Sequence, residues 1–451
     1  MRHLILLSLL ITLFIGCEQA PQKTSSAPDP APTAVTDPAS AGNGLFYQPS
    51  EPVLLELPSE ALTYWRSESN PKPALVLFSF DPMLKPIDPS LRQAAQELAL
   101  TGSAGQLRRH GSYNVAEPLI LPTQTLYAAL NAGMFSKFYW IFPSKIPPEQ
   151  LDLARFRSQM LEQQFMTDSE VDSLNLNNGR FTGRVRNTPF EAIHYQQLQN
   201  IDEPLILHFD MSFFRGLYDN EIKSPLYGLL RETTDSLRRL GWQPLATSLS
   251  YSTLEGANSL DVRFMISHLA ELMRNPQMLD GDMPLAWQTR GDALYAGDMY
   301  SESKKIELSQ KIAQQAPQSA AAHYDRFQAL FLGKQVDTAL QSLHRAVELD
   351  PGYGAAYIQL AQMAVEDNNI DTALDLLDRA ELLFPENPFI GLQKAHLLTF
   401  SKQTEAAEQQ LAKLPPSWSP IYHLQIPGAI AELQKKLTTP SETEGQNDEK
   451  Q

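Results

Sequence analysis

The sequence predicts an α/β domain, a mostly parallel sheet with helices on both faces, followed by an all-α helical repeat array. Three observations predict it. Between residues 45 and 283, short apolar runs alternate with helix-length stretches. From residue 284 onward, alanines, leucines and prolines recur at a spacing of 34 residues. Residues 18–44 are Pro, Ala, Ser and Thr with almost no apolar bulk, so they cannot bury a core and are expected to form a tether. At 451 residues the chain is too long for one ordinary core. Its 36 Lys and Arg against 52 Asp and Glu give a net charge of −16, the opposite of a nucleic-acid binder's basic stripe. Anionic lipid headgroups would also repel such a body, so membrane contact has to come from elsewhere.

The N-terminus offers that contact. Arg2 and His3 precede an apolar run at 4–15, too short to cross a hydrocarbon core, which needs roughly 20 residues. A basic start and a short apolar run form the layout of a secretory signal. The run ends in Phe14-Ile15-Gly16-Cys17-Glu18 and holds the chain's single cysteine, so no internal disulfide can form. This segment resembles the lipobox of bacterial lipoproteins, with Phe14 where Leu is usual. The resemblance implies a signal at 1–16 and a lipidated Cys17 at the head of the 17–44 tether. Glu18 is similar to the residue that follows the cysteine in lipoproteins sorted to the outer membrane, facing the periplasm of a Gram-negative cell. Two acyl chains already anchor a protein stably. The polar stretch 438–451 reads as a frayed tail.

In the expected α/β domain, the runs at 74–80, 138–142, 204–209 and 245–250 read as strands, and 89–99, 123–132, 148–164, 224–240 and 259–274 as helices. Asn178-Gly179 and Gly183 suggest turns around a short hairpin carrying Arg180, Arg184 and Arg186, which could hold an anionic ligand or pair with nearby carboxylates. Ligands of such sheets collect beyond the carboxyl ends of the strands. Asp81 and Asp210 fall there, and His208 lies two residues before Asp210, on the same strand face. The segment Leu207-His208-Phe209-Asp210-Met211-Ser212 faintly resembles the arginase-like metallohydrolases, whose Asp-x-Asp step bridges divalent metals, with Ser212 at the second Asp. His110-Gly111-Ser112 falls where that family can carry a His-and-Asp motif, without the acid. The resemblance implies a metal alternative, Mn or Zn held by Asp81, His110, His208 and Asp210, with a bound water as nucleophile on C–N bonds. Otherwise His208 packs within the sheet, Asp210 caps the next loop or helix, and no cofactor is expected.

In the array, Ala339, Leu343, Ala346 and Pro351 recur as Ala373, Leu377, Ala380 and Pro385. Small residues let paired helices approach, and proline stops the second helix. The pattern resembles the tetratricopeptide repeat, with units at about 287–317, 320–353, 354–387 and 388–414, a capping helix to 437, and a span of 284–437. By position, the resemblance implies a partner groove lined by Tyr324, Gln328, Phe331, Ile358, Gln362, Val365, Leu392, His396 and Thr399. The groove could hold an apolar peptide or be covered by the chain's own α/β domain. The resulting expectation is a membrane-anchored envelope lipoprotein that binds or assembles another envelope protein. Its rivals are a periplasmic metal-dependent hydrolase and an envelope solute-binding protein.

Overall fold

The computed structural model describes residues 45–438 except Tyr47, Glu68, Asn70, 219–225, 256–257 and 296–298. The chain divides into two compact units, 1–40 and 41–451, and the described residues all lie in the second. The expected signal, Cys17 and the tether lie outside the described residues, as does the tail from 439 onward. Among the described residues, no helix is long and apolar enough to cross a membrane.

An eight-stranded sheet forms the first half of the unit. In chain order its strands are β1 (Val53–Leu55), β2 (Ala74–Phe78), β3 (Lys137–Phe142), β4 (Asn175–Asn177), β5 (Arg180–Val185), β6 (Thr188–His194), β7 (Leu205–Asp210) and β8 (Ala246–Ser250). Their spatial order is β1-β8-β7-β2-β3-β6-β5-β4. The six strands from β1 to β6 in that order run parallel, whereas β5 and β4 are antiparallel additions at one edge. The chain moves outward from β2 to β3, then returns to the other side of β2 as β7 and continues to β8. The switch point is therefore the β2–β7 boundary, where open α/β sheets bind ligands.

Every residue of β2 and β7 is buried because helices cover both faces. Alternate side chains go to opposite cores. Ala74, Val76, Phe78, Leu207 and Phe209 pack on one side against α7 (Ser212–Tyr218), α8 (Leu226–Leu240) and α9 (Phe264–Arg274). Leu75, Leu77, Phe138 and Trp140 pack on the other against α1 (Leu62–Trp65), α2 (Arg92–Thr101), α4 (Thr125–Asn131) and α5 (Leu153–Glu162). Two further short helices are α3 (Ala104–His110) and α6 (Asp168–Asp172). Each fully buried Leu or Phe contributes roughly 1.5–3 kcal/mol.

The second half is a stack of antiparallel helix pairs. These are α10 (Leu285–Tyr295) with α11 (Glu302–Gln315), α12 (Ala320–Leu332) with α13 (Val336–Leu349), α14 (Ala355–Glu366) with α15 (Ile370–Leu383), and α16 (Pro388–Phe400) with α17 (Thr404–Ala412). A final helix, α18 (Ile426–Thr438), packs over the end. Ala339, Ala346, Ala373 and Ala380 are fully buried where the paired helices meet. The turn within each of the last three pairs holds one non-glycine residue with positive φ, at Lys334, Asn368 and Lys402. These residues are 34 positions apart, so the backbone repeats as the sequence does.

The two halves share one core. The cluster that contains Phe78 and Phe209 of the sheet continues through Phe264 and Trp287 to Tyr324, Leu343 and Leu377 of the repeats. Two buried arginines reinforce the junction. Arg263 Nη2 reaches Glu56 Oε1 at 2.5 Å, and its Nε reaches Asp350 Oδ2 at 2.7 Å. Arg290 grips Asp325 at 2.5 and 2.9 Å and lies over the Phe264 ring at 3.8 Å. At the far end, Ser419 N donates to Ala116 O at 2.9 Å, and Gln124 Nε2 donates to Tyr422 Oη at 3.2 Å. The array thus touches the α/β domain at both of its ends.

Candidate functional site

The groove positions named from the repeat pattern divide into two groups. Tyr324 is buried against Tyr353, with ring centroids 4.7 Å apart, and Gln328 donates to Asp261 Oδ1 of the α/β domain at 2.5 Å. Phe331 is half-buried in the shared core. At this end the α/β domain meets the array through Asp261. Further along, Ile358 and Val365 are half-buried, whereas Gln362 and His396 are exposed. Leu392 is buried beside Leu411 and Leu433, beneath α18, and Thr399 donates to Ala395 O at 2.8 Å. Three large apolar side chains that the repeat pattern did not single out stand out in water: Leu332 at 63%, Met363 at 45% and Phe400 at 60% exposure. Leu332 and Phe400 occupy one repeat position two periods apart, so the 34-residue spacing could have identified them.

The strand-end acids come together at the switch point. Asp210 closes β7 and is 3% exposed. Its Oδ2 accepts from Ser250 Oγ at 2.6 Å and from the Ser252 hydroxyl, and its Oδ1 accepts from the Ser212 N–H at 2.9 Å. Ser212 Oγ in turn accepts from the Phe80 N–H at 3.1 Å, tying the loop after β2 to the end of β7. Asp81 Oδ1 accepts from the Met83 N–H at 2.6 Å. Burial pushes the Asp81 carboxyl up to about 6, and the charge of Asp210 adds to the rise against Lys85 and the Met83 N–H. Glu255 accepts from the Tyr113 N–H at 2.6 Å, and burial raises its carboxyl to about 7 against the hydrogen bonds from Ser112 and Tyr113. Ser248, Ser250 and Ser252 were not named from sequence. The period of two places Ser248 and Ser250 on one face of β8, whereas Ser252 follows the strand with a positive φ.

The four residues of the metal alternative do not fit a metal. His208 is fully buried, and both ring nitrogens are engaged, Nδ1 with Ser248 Oγ at 2.8 Å and Nε2 with Ser250 Oγ at 3.1 Å. Its ring packs edge-on to Trp65 at 5.2 Å, and burial lowers it to about 4 despite Asp210. His110 sits at the end of α3 with Nδ1 2.9 Å from Glu117 O. Among the described residues, no three His, Cys, Asp or Glu side chains are grouped so as to hold a metal ion. What the switch point does hold is Asp81 beside Asp210 and its Ser250 and Ser252 hydroxyls, while Glu255 is bound to the loop at Tyr113.

The hairpin arginines are paired. Arg186 Nη1 meets Glu170 at 3.0 Å, Arg180 lies 3.6 Å from Glu191, and Arg184 donates to the Asn187 carbonyl. Asn178-Gly179 turns β4 into β5 as expected, both with positive φ, whereas the turn from β5 to β6 falls at Arg186-Asn187 and Gly183 lies inside β5, not at a turn.

The profile of the tetratricopeptide repeat family matches residues 330–388, from the end of α12 to the start of α16. No curated protein matches the chain. Among solved structures, the chain is similar to the yeast Tom70 at 21% identity with a TM-score of 0.23, covering 51% of this chain and 44% of that one. The chain therefore spans less than half of Tom70. Within its helical array, residues 330–388 form a tetratricopeptide repeat, a module of protein–protein interaction.

Proposed function

We propose that this chain is a lipoprotein of the cell envelope, held at the outer membrane through Cys17 and facing the periplasm, that binds another envelope protein with the later repeats of its array. The observation that carries the reading is the exposed run of Gln362, Met363, His396 and Phe400 on α14 and α16, beside a first half already covered by the α/β domain. The body's negative charge leaves the acyl chains as the membrane contact. A photo-crosslinking residue at Gln362 or His396 should trap one defined envelope protein in intact cells, and Phe400→Glu should abolish the adduct without loss of folding. Adducts that persist in Phe400→Glu would overturn the assignment of this face. Cys17→Ser should abolish fatty-acid labelling, and continued labelling would remove the anchor from Cys17.

A second reading is favoured by the raised carboxyl of Asp81 beside Asp210 at the switch point: an α/β domain that binds a solute or acts as a hydrolase. Elemental analysis of purified protein and of Asp210→Ala separates its versions. Stoichiometric Mn or Zn lost in the variant would restore the metal-dependent form.

A further inference from the structure

Met363 and Phe400 stand in water near the ends of α14 and α16, at 45% and 60% exposure. Single exposed apolar side chains are normal on a protein surface and by themselves say nothing of a partner. The charges around these two are not evenly mixed. Glu366 lies one turn after Met363, Asp367 caps α14, Asp371 opens α15 and Glu405 opens α17; all four are exposed. Against these four carboxylates stands Lys402, in the turn that follows Phe400.

The turns share one geometry. Lys334, Asn368 and Lys402 have φ of 58°, 56° and 60°, so each helix pair presents its turn at the same edge of the stack. One acid opens every second helix there: Asp337 of α13, Asp371 of α15 and Glu405 of α17. A first-turn carboxylate stabilises its own helix by roughly 0.3–1 kcal/mol, which accounts for these three. Glu366 and Asp367 have no such role. They sit at the C-terminus of α14, where the macrodipole disfavours negative charge by a similar amount. Other acids nearby are neutralised, Asp375 by Arg379 and both Asp378 and Glu381 by Lys394. Among the described residues, Glu366, Asp367, Asp371 and Glu405 make no ion pair. The fold therefore holds two apolar side chains beside carboxylates that it does not neutralise and, at Glu366 and Asp367, does not need.

Charge also narrows what covers this face. Anionic lipid headgroups would be repelled, and a second copy would bring its own net charge of −16. A segment carrying both apolar and cationic side chains complements it.

We propose that the segment docked here is basic and amphipathic, its apolar side chains on Met363 and Phe400 and its Lys or Arg side chains against Glu366, Asp367, Asp371 and Glu405. The inference rests on the assignment of this face to a protein partner and adds what that partner presents. Fluorescence anisotropy of a labelled peptide titrated with the full chain tests it. The peptide repeats Leu-Lys-Lys-Leu-Leu-Lys-Leu twice, and a second peptide carries Gln in place of every Lys. The Lys peptide should bind at least about tenfold more tightly than the Gln peptide, and weaken as salt rises from about 0.1 to 0.5 M. Glu366→Gln, Asp367→Asn and Asp371→Asn together should weaken it about fivefold or more, as should Phe400→Ser. Glu97→Gln, Glu117→Gln and Glu149→Gln together remove the same number of exposed charges from the α/β domain and should leave Kd within about twofold. Equal binding of the two peptides, an unchanged Kd in the Glu366, Asp367 and Asp371 variant, or equal weakening by the α/β-domain variant would overturn the proposal. Crosslinking from Gln362 reads the partner assignment separately. A partner trapped there while the Lys peptide fails to bind would refute the basic chemistry alone.

Discussion

Replacing Arg263 with methionine should both destabilise the protein and uncouple its halves. Arg263 is 1% exposed and uses all five guanidinium N–H donors. Nε and Nη2 donate to Asp350 at 2.7 and 2.8 Å, Nη1 and Nη2 to Glu56 at 2.9 and 2.5 Å, and Nη1 to Thr253 Oγ1 at 2.8 Å. Its cation also lies over the Tyr251 ring at 3.7 Å. Methionine retains the apolar stem and removes every donor, leaving two carboxylates without their counter-ion. Breaking a buried ion pair from one side costs about 3–5 kcal/mol. The Glu56 and Asp350 side chains keep 25% and 20% of their exposure, so water reaches the orphaned charges and the lower end, about 3 kcal/mol, applies. Urea titration of the full chain, followed by tryptophan fluorescence and far-ultraviolet circular dichroism, measures the effect. Trp65, Trp140 and Trp242 report chiefly on the sheet, whereas the dichroism is weighted to the helical array. Coincident wild-type transitions should separate in the variant, because Glu56 follows β1 and Asp350 belongs to the repeats. A loss below about 1 kcal/mol with coincident transitions would refute the view that this arginine couples the halves.

Arg290→Met should cost about 3 kcal/mol by the same reasoning, since Arg290 is 3% exposed and bidentate to Asp325; the same urea titration checks it. Gly352→Ala should also destabilise, by about 1–3 kcal/mol, because a Cβ there would collide with the Arg263 guanidinium; normal melting of that variant would contradict the packing. Tyr324→Glu should unfold the junction, whereas Phe400→Glu should melt like wild type, and thermal denaturation of the pair distinguishes the covered end of the array from the exposed one. In pH titrations of stability, burial gives opposite slopes. Asp81, raised to about 6, takes up protons in the folded state, so stability falls as pH rises from about 4 to 6, and Asp81→Asn should flatten that fall. His208, lowered to about 4, is kept neutral by folding, so stability is lost as pH drops from its ordinary 6.5 toward 4, and His208→Asn should remove that loss.

The elements that could be read in advance are those whose signal is local. Continuous apolar runs gave β2, β3 and β7 because both faces of those strands are buried. The 34-residue spacing gave the helix pairs because each repeat packs on its neighbours alike. Less was legible where the cause is distant or chemically disguised. β1 is only three residues long and is defined by its pairing with β8. The turn at Arg186-Asn187 has φ of +47° and +63° without a glycine, so its residues conceal it. Gly183 sits in β5 because a Cβ there would meet Leu174 Cδ2 at 2.9 Å, a close approach that composition alone presents as a turn. Asp210 was visible as a strand-end acid, but its hydroxyl partners, Ser250 of β8 and Ser252 just beyond it, lie 40 and 42 residues away, and no local pattern links them.

The covering of Tyr324 and Gln328 stems from the physical needs of a repeat array. A repeat buries its faces only against neighbours, so both ends need a cap. At the C-terminal end α18 supplies one through Leu433, packed with Leu392 and Leu411. At the N-terminal end the first pair meets α8 and α9, where Tyr227 and His268 pack against Trp287. The α/β domain therefore acts as the N-terminal cap, and the surface it covers in that role is unavailable to a partner. Competition for the array should then fall on α14 and α16 alone. A partner whose crosslinks concentrated at Tyr324 or Gln328 would require the shared core to open first, and its binding rate would track the urea-sensitive opening of the junction.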